Sequence, residues 1–330
     1  MHSMLHNAEP VRRVSADIRS GDAGKTLIEL LSDRFTYIDA TAWARMIDRG
    51  RIFVNDRRTD AARVLRVGDR LTCDMGDLPE PSVDMNWRIL HEDEALLVVD
   101  KPGNLPCHPG GRYFLHTLWT ALKRRGRLES ARFVNRLDRE TSGVVVIAKT
   151  RDDAAACQRA WVSGRVRKRY AVIVEAADFP DALAATGRLI PDDAGPVRKK
   201  QRFEAFADAG TACSTRFFNV GSENHMSLLM ALPETGRMHQ IRATLWSLGY
   251  PVVGDKLYGV DDTLFLRFIE GSLSESDLSR LRIDRQALHA AELVFPHPRT
   301  GRIMEFRAPL PAVLSGLVPE AARIWDAWSA

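Results

Sequence analysis

Apolar positions along this chain recur with two different periods, and the places where the period changes outline the elements. In residues 25–35 the apolar positions Leu27, Ile28, Leu30 and Leu31 fall on one helical face, and Trp43, Met46 and Ile47 repeat that spacing in a second short segment. Two short helices are expected there. Gly50 stops the second; residues 51–54 read as a strand, Asn55-Asp56 and Gly68-Asp69 as turns, and 70–73 as another strand. Residues 1–20 are polar, mixed in charge and without period, which predicts a flexible tail with ordered structure from Gly21 onward. A compact unit over 21–75 follows. Residues 76–85, with two prolines and acidic side chains, read as a linker to a larger domain over 86–330.

Within that domain, apolar runs of strand length recur at 96–99, 144–148, 170–174, 226–231 and 303–306. Helical patterns at 115–125, 151–163, 239–248 and 264–281 lie between them irregularly, unlike the regular alternation of a doubly wound parallel sheet. The expected fold is α+β, a mostly antiparallel mixed sheet with flanking helices, and no internal repeat or low-complexity tract interrupts it.

Of the 330 residues, 45% are hydrophobic and 27% charged, which excludes a disordered or fibrous chain. No window approaches the roughly 18 apolar residues of a membrane span, and the first residues lack the apolar core of a secretory signal, so a cytoplasmic protein is expected. Cys73, Cys107, Cys157 and Cys213 lie far apart and are read as reduced thiols. The net charge of +4 is mild, but its distribution is uneven. Residues 41–70 carry eight arginines (45, 49, 51, 57, 58, 63, 66, 70) against four aspartates, and basic runs follow at 123–127, 165–169 and 198–200. Each run alone could be a solvated face; several together favour phosphate binding.

Absent motifs narrow the chemistry. No Gly-x-Gly-x-x-Gly follows a strand, and Gly24-Lys25-Thr26 lacks a phosphate loop's first glycine because Arg19 stands there, so no nucleotide cofactor is expected. Neither Cys-x-x-Cys nor His-Glu-x-x-His occurs, the nine histidines are scattered, and there is no Gly-x-Ser-x-Gly elbow. What remains is carboxylate chemistry without metal or cofactor. In residues 133–149 a polar loop with Arg136-Leu137-Asp138 leads through Thr141-Ser142-Gly143 into an apolar strand, so that Asp138 sits at a strand entrance. Taken alone, an Asp before a Thr-Ser-Gly turn reads first as a turn or capping residue and only second as a catalytic one.

Arg136-Leu137-Asp138-Arg139-Glu140-Thr141-Ser142-Gly143 resembles the signature of the RluA family of RNA pseudouridine synthases. Further blocks resemble the family in order: Asp100-Lys101-Pro102-Gly103, Lys168-Arg169-Tyr170, Glu234-Thr235-Gly236-Arg237-Met238-His239-Gln240-Ile241-Arg242, Gly254-Asp255-Lys256-Leu257-Tyr258-Gly259 and Arg285-Gln286-Ala287-Leu288-His289-Ala290. Residues 21–75 resemble an S4-type RNA-binding domain, carried by 44–55 and Gly68-Asp69. There are departures: Asn135 replaces the histidine before Arg-Leu-Asp, Met238 stands where threonine or serine is common, and Asp56 follows Val54-Asn55 where glycine is typical.

The resemblance implies isomerisation of uridine in structured ribosomal or transfer RNA without a cofactor; a monomer with no membrane partner is expected. It implies Asp138 as the catalytic carboxylate, Arg242 as its ion-pair partner and Tyr170 as a surface against the target uracil. Whether Asp138 would act as nucleophile or base stays open. Leu288 resembles the residue that closes the pocket, though a leucine there is equally core; Arg136 resembles the arginine that fills the space of a flipped uridine. Lys168, Arg45, Arg49 and Arg51 are the remaining RNA contacts expected. His239 and His289 read as structural. Residues 260–284 read as a helix packed on the catalytic domain. The competing reading is an RNA-binding or RNA-folding factor that keeps the fold without turnover.

Overall fold

The structure, a computed structural model, describes residues 13–35, 38–76, 79–125, 131–193, 195, 197, 199–259, 261 and 263–329. The chain forms two compact units, one of residues up to Ser82 with Pro109–His116, the other of Val83–His108 with Thr117 onward.

The first unit contains β1 (Arg13–Asp17), α1 (Leu27–Arg34), α2 (Ala40–Asp48), β2 (Ile52–Val54), β3 (Arg57–Arg58) and β4 (Arg70–Asp74). Leu27, Leu30 and Leu31 of α1 and Trp43, Met46 and Ile47 of α2 bury against Ile52, Val54 and Leu71, the face given by the helical spacing. Thr26 caps α1 in a reciprocal box with Glu29, and the Asp39 carboxylate accepts from the Ala42 amide at 2.8 Å to start α2. The antiparallel sheet runs β1-β4-β2-β3. Asn55 and Asp56 turn β2 into β3 at φ of 52° and 60°, which asparagine and aspartate tolerate better than other side chains. Asn55 then holds the turn by donating to Asp69 and accepting from the Arg70 amide.

Two expectations are corrected in this unit. The tail expected over 1–20 is, from Arg13, a strand paired with β4, and Ile18 is buried behind it. The strand lacks a readable period because it is an edge whose side chains are largely exposed; backbone hydrogen bonds rather than apolar burial hold it. Residues 1–12 lie outside the described residues. Within the expected linker, the Glu80 carboxylate accepts from the amides of Phe114, Leu115 and His116, which ties 79–82 to 109–116, a segment that the sequence places in the larger domain. Asp77 and Leu78 lie outside the described residues.

The second unit begins with β5 (Arg88–Glu92), β6 (Leu96–Lys101), α3 (Leu118–Arg124), β7 (Arg132–Phe133), β8 (Ser142–Ala148), α4 (Arg151–Val162) and β9 (Arg167–Val174). It continues with β10 (Ala182–Pro191), β11 (Gln201–Glu204), β12 (Thr211–Glu223), β13 (Met226–Pro233) and α5 (Gln240–Ser247). α6 (Thr263–Glu270), α7 (Glu275–Leu281), β14 (Leu288–Pro296), β15 (Ile303–Arg307), α8 (Ala312–Ser315) and α9 (Pro319–Ser329) complete it. An 11-stranded sheet runs β11-β10-β12-β13-β9-β14-β8-β6-β5, with β15 on β14 and β7 on β8. β6 and β8 are buried along their whole lengths, so they read as continuous apolar runs rather than alternations. One hydrophobic cluster on them includes Leu97, Val99, Val145 and Ile147, and another Leu96, Val98, Val144 and Val146, as expected for alternate residues facing opposite sides.

The described strand pairs are antiparallel except β8 with β14, where Ser142 lies opposite His289 and Gly143 opposite Ala290. At φ +113°, Gly143 brings its Cα so close that a Cβ would lie 2.2 Å from the Ala290 carbonyl oxygen; only glycine fits. The single helix expected over 264–281 is two, because Gly271 at φ +74° ends α6 and Ser274 caps α7 in a box with Asp277. No helix among the described residues is long and apolar enough to cross a membrane.

Candidate active site

Asp138 lies in the loop that enters β8, and the backbone on both sides of it is tied down. Upstream, Asn135 donates to the Val144 carbonyl and accepts from the Val146 amide, so one amide satisfies both polarities of the β8 backbone. Downstream, the Glu140 carboxylate accepts from Lys256 Nζ at 3.1 Å and from the Gln286 amide, while Arg285 donates to the Glu140 carbonyl. Across the loop, the fully buried Lys101 donates to the carbonyls of Pro102, Leu105 and Arg139 at 2.8, 2.9 and 3.1 Å. The Leu105 amide also donates to Arg139, and the Cys107 thiol to the Leu137 carbonyl. Buried carbonyls need donors, and one ammonium provides three of them here.

Arg242 reaches Asp138 from the buried side of α5, 104 residues further along the chain. Its Nη1 donates to Asp138 Oδ2 at 2.8 Å, while Nε and Nη2 form a two-pronged pair with Asp255 at 2.6 and 2.9 Å. Asp255 in turn accepts from the Leu257 and Tyr258 amides. Side-chain exposure rises along this chain of charges from 0% at Asp255 through 8% at Arg242 to 33% at Asp138. The buried end fixes the guanidinium and the open end presents a carboxylate. Burial opposes ionisation of Asp138, but the Arg242 charge and hydrogen bond and the nearby His239 outweigh it, holding the carboxyl below its ordinary value. Burial likewise opposes the Arg242 charge, and Asp255 and Asp138 overcome it.

His239 precedes α5 in a left-handed conformation at φ 58°. Its Nδ1 lies 2.9 Å from the Tyr258 hydroxyl, which accepts from the Gln201 amide, and its Nε2 is 3.9 Å from Asp138 Oδ1, beyond hydrogen-bond range. Burial and the Arg242 charge lower its pKa, so the ring is neutral near pH 7.

Tyr170 on β9 lies opposite Ala231 of β13 and Ala290 of β14, close enough for the Asp138 charge to act on it. Burial, then that charge, push its phenol up to about 12, so it stays protonated. Leu288, at the start of β14, is 4% exposed in the same hydrophobic cluster that Tyr170 packs against. Lys168 donates to the Thr235 carbonyl at 2.7 Å, and burial and Arg237 bring its pKa down to about 8. Arg136 is exposed and makes no hydrogen bond or ion pair among the described residues.

Arg45, Arg49 and Arg51 belong to the other unit: the first two are exposed at the end of α2, and Arg51 is half-buried against Gly76. Arg127 and Arg198, in two of the basic runs, lie outside the described residues. Sequence reasoning gave no role to Asp255, Lys101, Glu140 or Lys256. Each stands in one of the blocks quoted above, yet residue type alone does not distinguish a buried anchor from a surface charge. The four cysteines are buried and free, and no cluster suited to a metal occurs among the described residues.

Residues 95–247 match the family model described as RNA pseudouridylate synthase. An uncharacterised RNA pseudouridine synthase of Synechocystis is 29% identical over 90% of this chain and 98% of its own length. Ribosomal large subunit pseudouridine synthase D of Vibrio cholerae is 27% identical over 93% of both chains. Among solved structures, human RNA pseudouridylate synthase domain containing 4 superposes with a TM-score of 0.54 and 25% identity, covering 71% of this chain and 92% of that one.

Proposed function

Because the chain belongs to the RNA pseudouridine synthases, which are isomerases, we propose that Asp138 is the carboxylate that acts on the ribose of a target uridine in ribosomal or transfer RNA. The observation that carries this reading is the Asp255–Arg242–Asp138 chain, which keeps an accessible carboxylate ionised at a fixed place. The reaction breaks the bond from C1′ to N1 of uracil and joins C1′ to C5. The C5 hydrogen leaves as a proton and N1 gains one, so no electron acceptor is needed. Arg242 holds Oδ2, which leaves Oδ1 to act as nucleophile or base.

Tyr170 supports the detached uracil as a flat neutral ring, and Leu288 closes the pocket behind it. Arg136, free of protein partners, fills the space that the flipped uridine leaves, which offsets part of the few kcal/mol of unstacking. Lys168 lines the same site. The first unit serves as an S4-type module whose Arg45, Arg49 and Arg51 hold structured RNA through its phosphates. The enzyme works in the cytoplasm as a monomer.

The test is tritium release from C5-labelled uridine in ribosomal and transfer RNA prepared from cells lacking the protein. Wild type releases tritium and Asp138→Ala releases none while still binding the RNA. Equal release by the two proteins would remove Asp138 from the chemistry; binding without release by either leaves an RNA-binding factor.

A further inference from the structure

Beside the Asp138 loop lies a group of aromatic side chains that the chemistry above does not use. His108 stacks on Trp119 at 5.4 Å between ring centroids with 25° between planes, and meets Phe133 at 4.6 Å; Trp119 and Phe133 are 6.1 Å apart. Trp119 and Phe133 are half-buried, with their inner edges on the cluster of Leu97, Val99, Val145 and Ile147. The imidazole above them is exposed. An exposed ring backed by two fixed rings is a flat surface already held in place, so little conformational entropy is lost when something stacks on it.

The surface is tied to the reacting carboxylate through few bonds. The Cys107 carbonyl accepts from the Trp119 amide at 3.0 Å, and the Cys107 thiol donates to the carbonyl of Leu137, the residue before Asp138. Its surroundings are cationic. Arg136 is close enough to lower the His108 pKa, second to burial, which keeps the imidazole neutral and suited to stacking. Lys123, one turn beyond Trp119 on α3, is exposed, and its side chain makes no hydrogen bond or ion pair among the described residues.

We propose that His108, backed by Trp119 and Phe133 and flanked by Arg136 and Lys123, is a stacking subsite for an RNA base that neighbours the target uridine. Extruding a uridine removes a stacking partner from each adjacent base, and an aromatic face with cations for the flanking phosphates replaces it. The inference rests on the isomerase reading and specifies how that site holds its substrate.

The experiment measures KM and kcat by tritium release from the RNA described above for wild type, His108→Ala and His108→Phe. Removing one base-stacking face is expected to raise KM about ten-fold, with a smaller change in kcat, and phenylalanine is expected to restore KM to within about three-fold. Thermal unfolding of both variants checks that the fold survives. An unchanged KM in His108→Ala, a loss confined to kcat, or no restoration by phenylalanine would overturn the subsite while Asp138-dependent release in wild type left the isomerase standing. No release by wild type would fell both.

Discussion

Arginine is used in two opposite ways in the two units. In the first, the side chains of Arg45, Arg49, Arg57 and Arg58 stand in water without a hydrogen bond or ion pair among the described residues. In the second, Arg242 is buried and all three of its nitrogens donate to carboxylates. A hydrated guanidinium costs nothing to keep charged and is screened by salt, so it supplies affinity for a polyanion but no fixed geometry. A buried one must be matched by anions, and those anions fix its position to within a hydrogen bond. Affinity and orientation therefore draw on the same residue type, separated by burial.

The largest effect that would break this contrast is expected at Arg242. Arg242→Met leaves Asp255 buried without its partner; stability should fall by about 3–5 kcal/mol in urea unfolding, and turnover by about 10²–10³-fold or more. A loss of activity with stability intact would mean that Asp255 needs no cation. The next effect is in the pH profile. The folded-state pKa of Asp138 is depressed, so its stabilising contribution is complete above the unfolded value of roughly 3.9 and is lost as pH falls through the lower folded value. The acid limb of kcat/KM assigned to Asp138 should lie below that value in wild type. In Arg242→Gln burial and the Asp255 charge are opposed only by His239, and the limb should move up by about one unit or more; an unmoved limb would detach the ionisation from Arg242. Smallest is the effect of Arg45→Gln with Arg49→Gln, expected to weaken RNA binding a few-fold. It should also flatten the dependence of log K on log salt by about 1.4–1.8, at roughly 0.7–0.9 per lost phosphate contact. An unchanged slope would show that these arginines do not meet phosphate.

Sequence patterning reached the strands that bury both faces, β6 and β8, and the helices with an apolar stripe, α1 and α2. It did not reach β10 and β12, whose small and polar residues (Ala182–Pro191, Thr211–Glu223) take strand form because neighbours offer a ladder, not because of their own pattern. The site shows the same limit. Arg242 on an amphipathic helix reads by default as a surface residue, and only its resemblance to a family motif placed it against Asp138; it is 7% exposed. Asp255, the deepest charge of the chain, has no legible role in sequence, because its task depends on the contact of Arg242 with Asp138, 104 residues away from that arginine.

The parallel pairing of β8 with β14 sets a timetable for the newborn chain. Ser142 and His289, joined across that pair by a 2.8 Å hydrogen bond, are separated by 147 residues, so a long loop must close before the Ser142–Gly143 end of β8 gains its outer neighbour. Until β14 has been synthesised, that end of β8 and residues 167–172 of β9 have no ladder partner on one side, and an open edge is a template for the wrong partner. Arrested translation shortly before residue 288 should therefore yield an insoluble, inactive chain, with quality control of this protein concentrated at that edge.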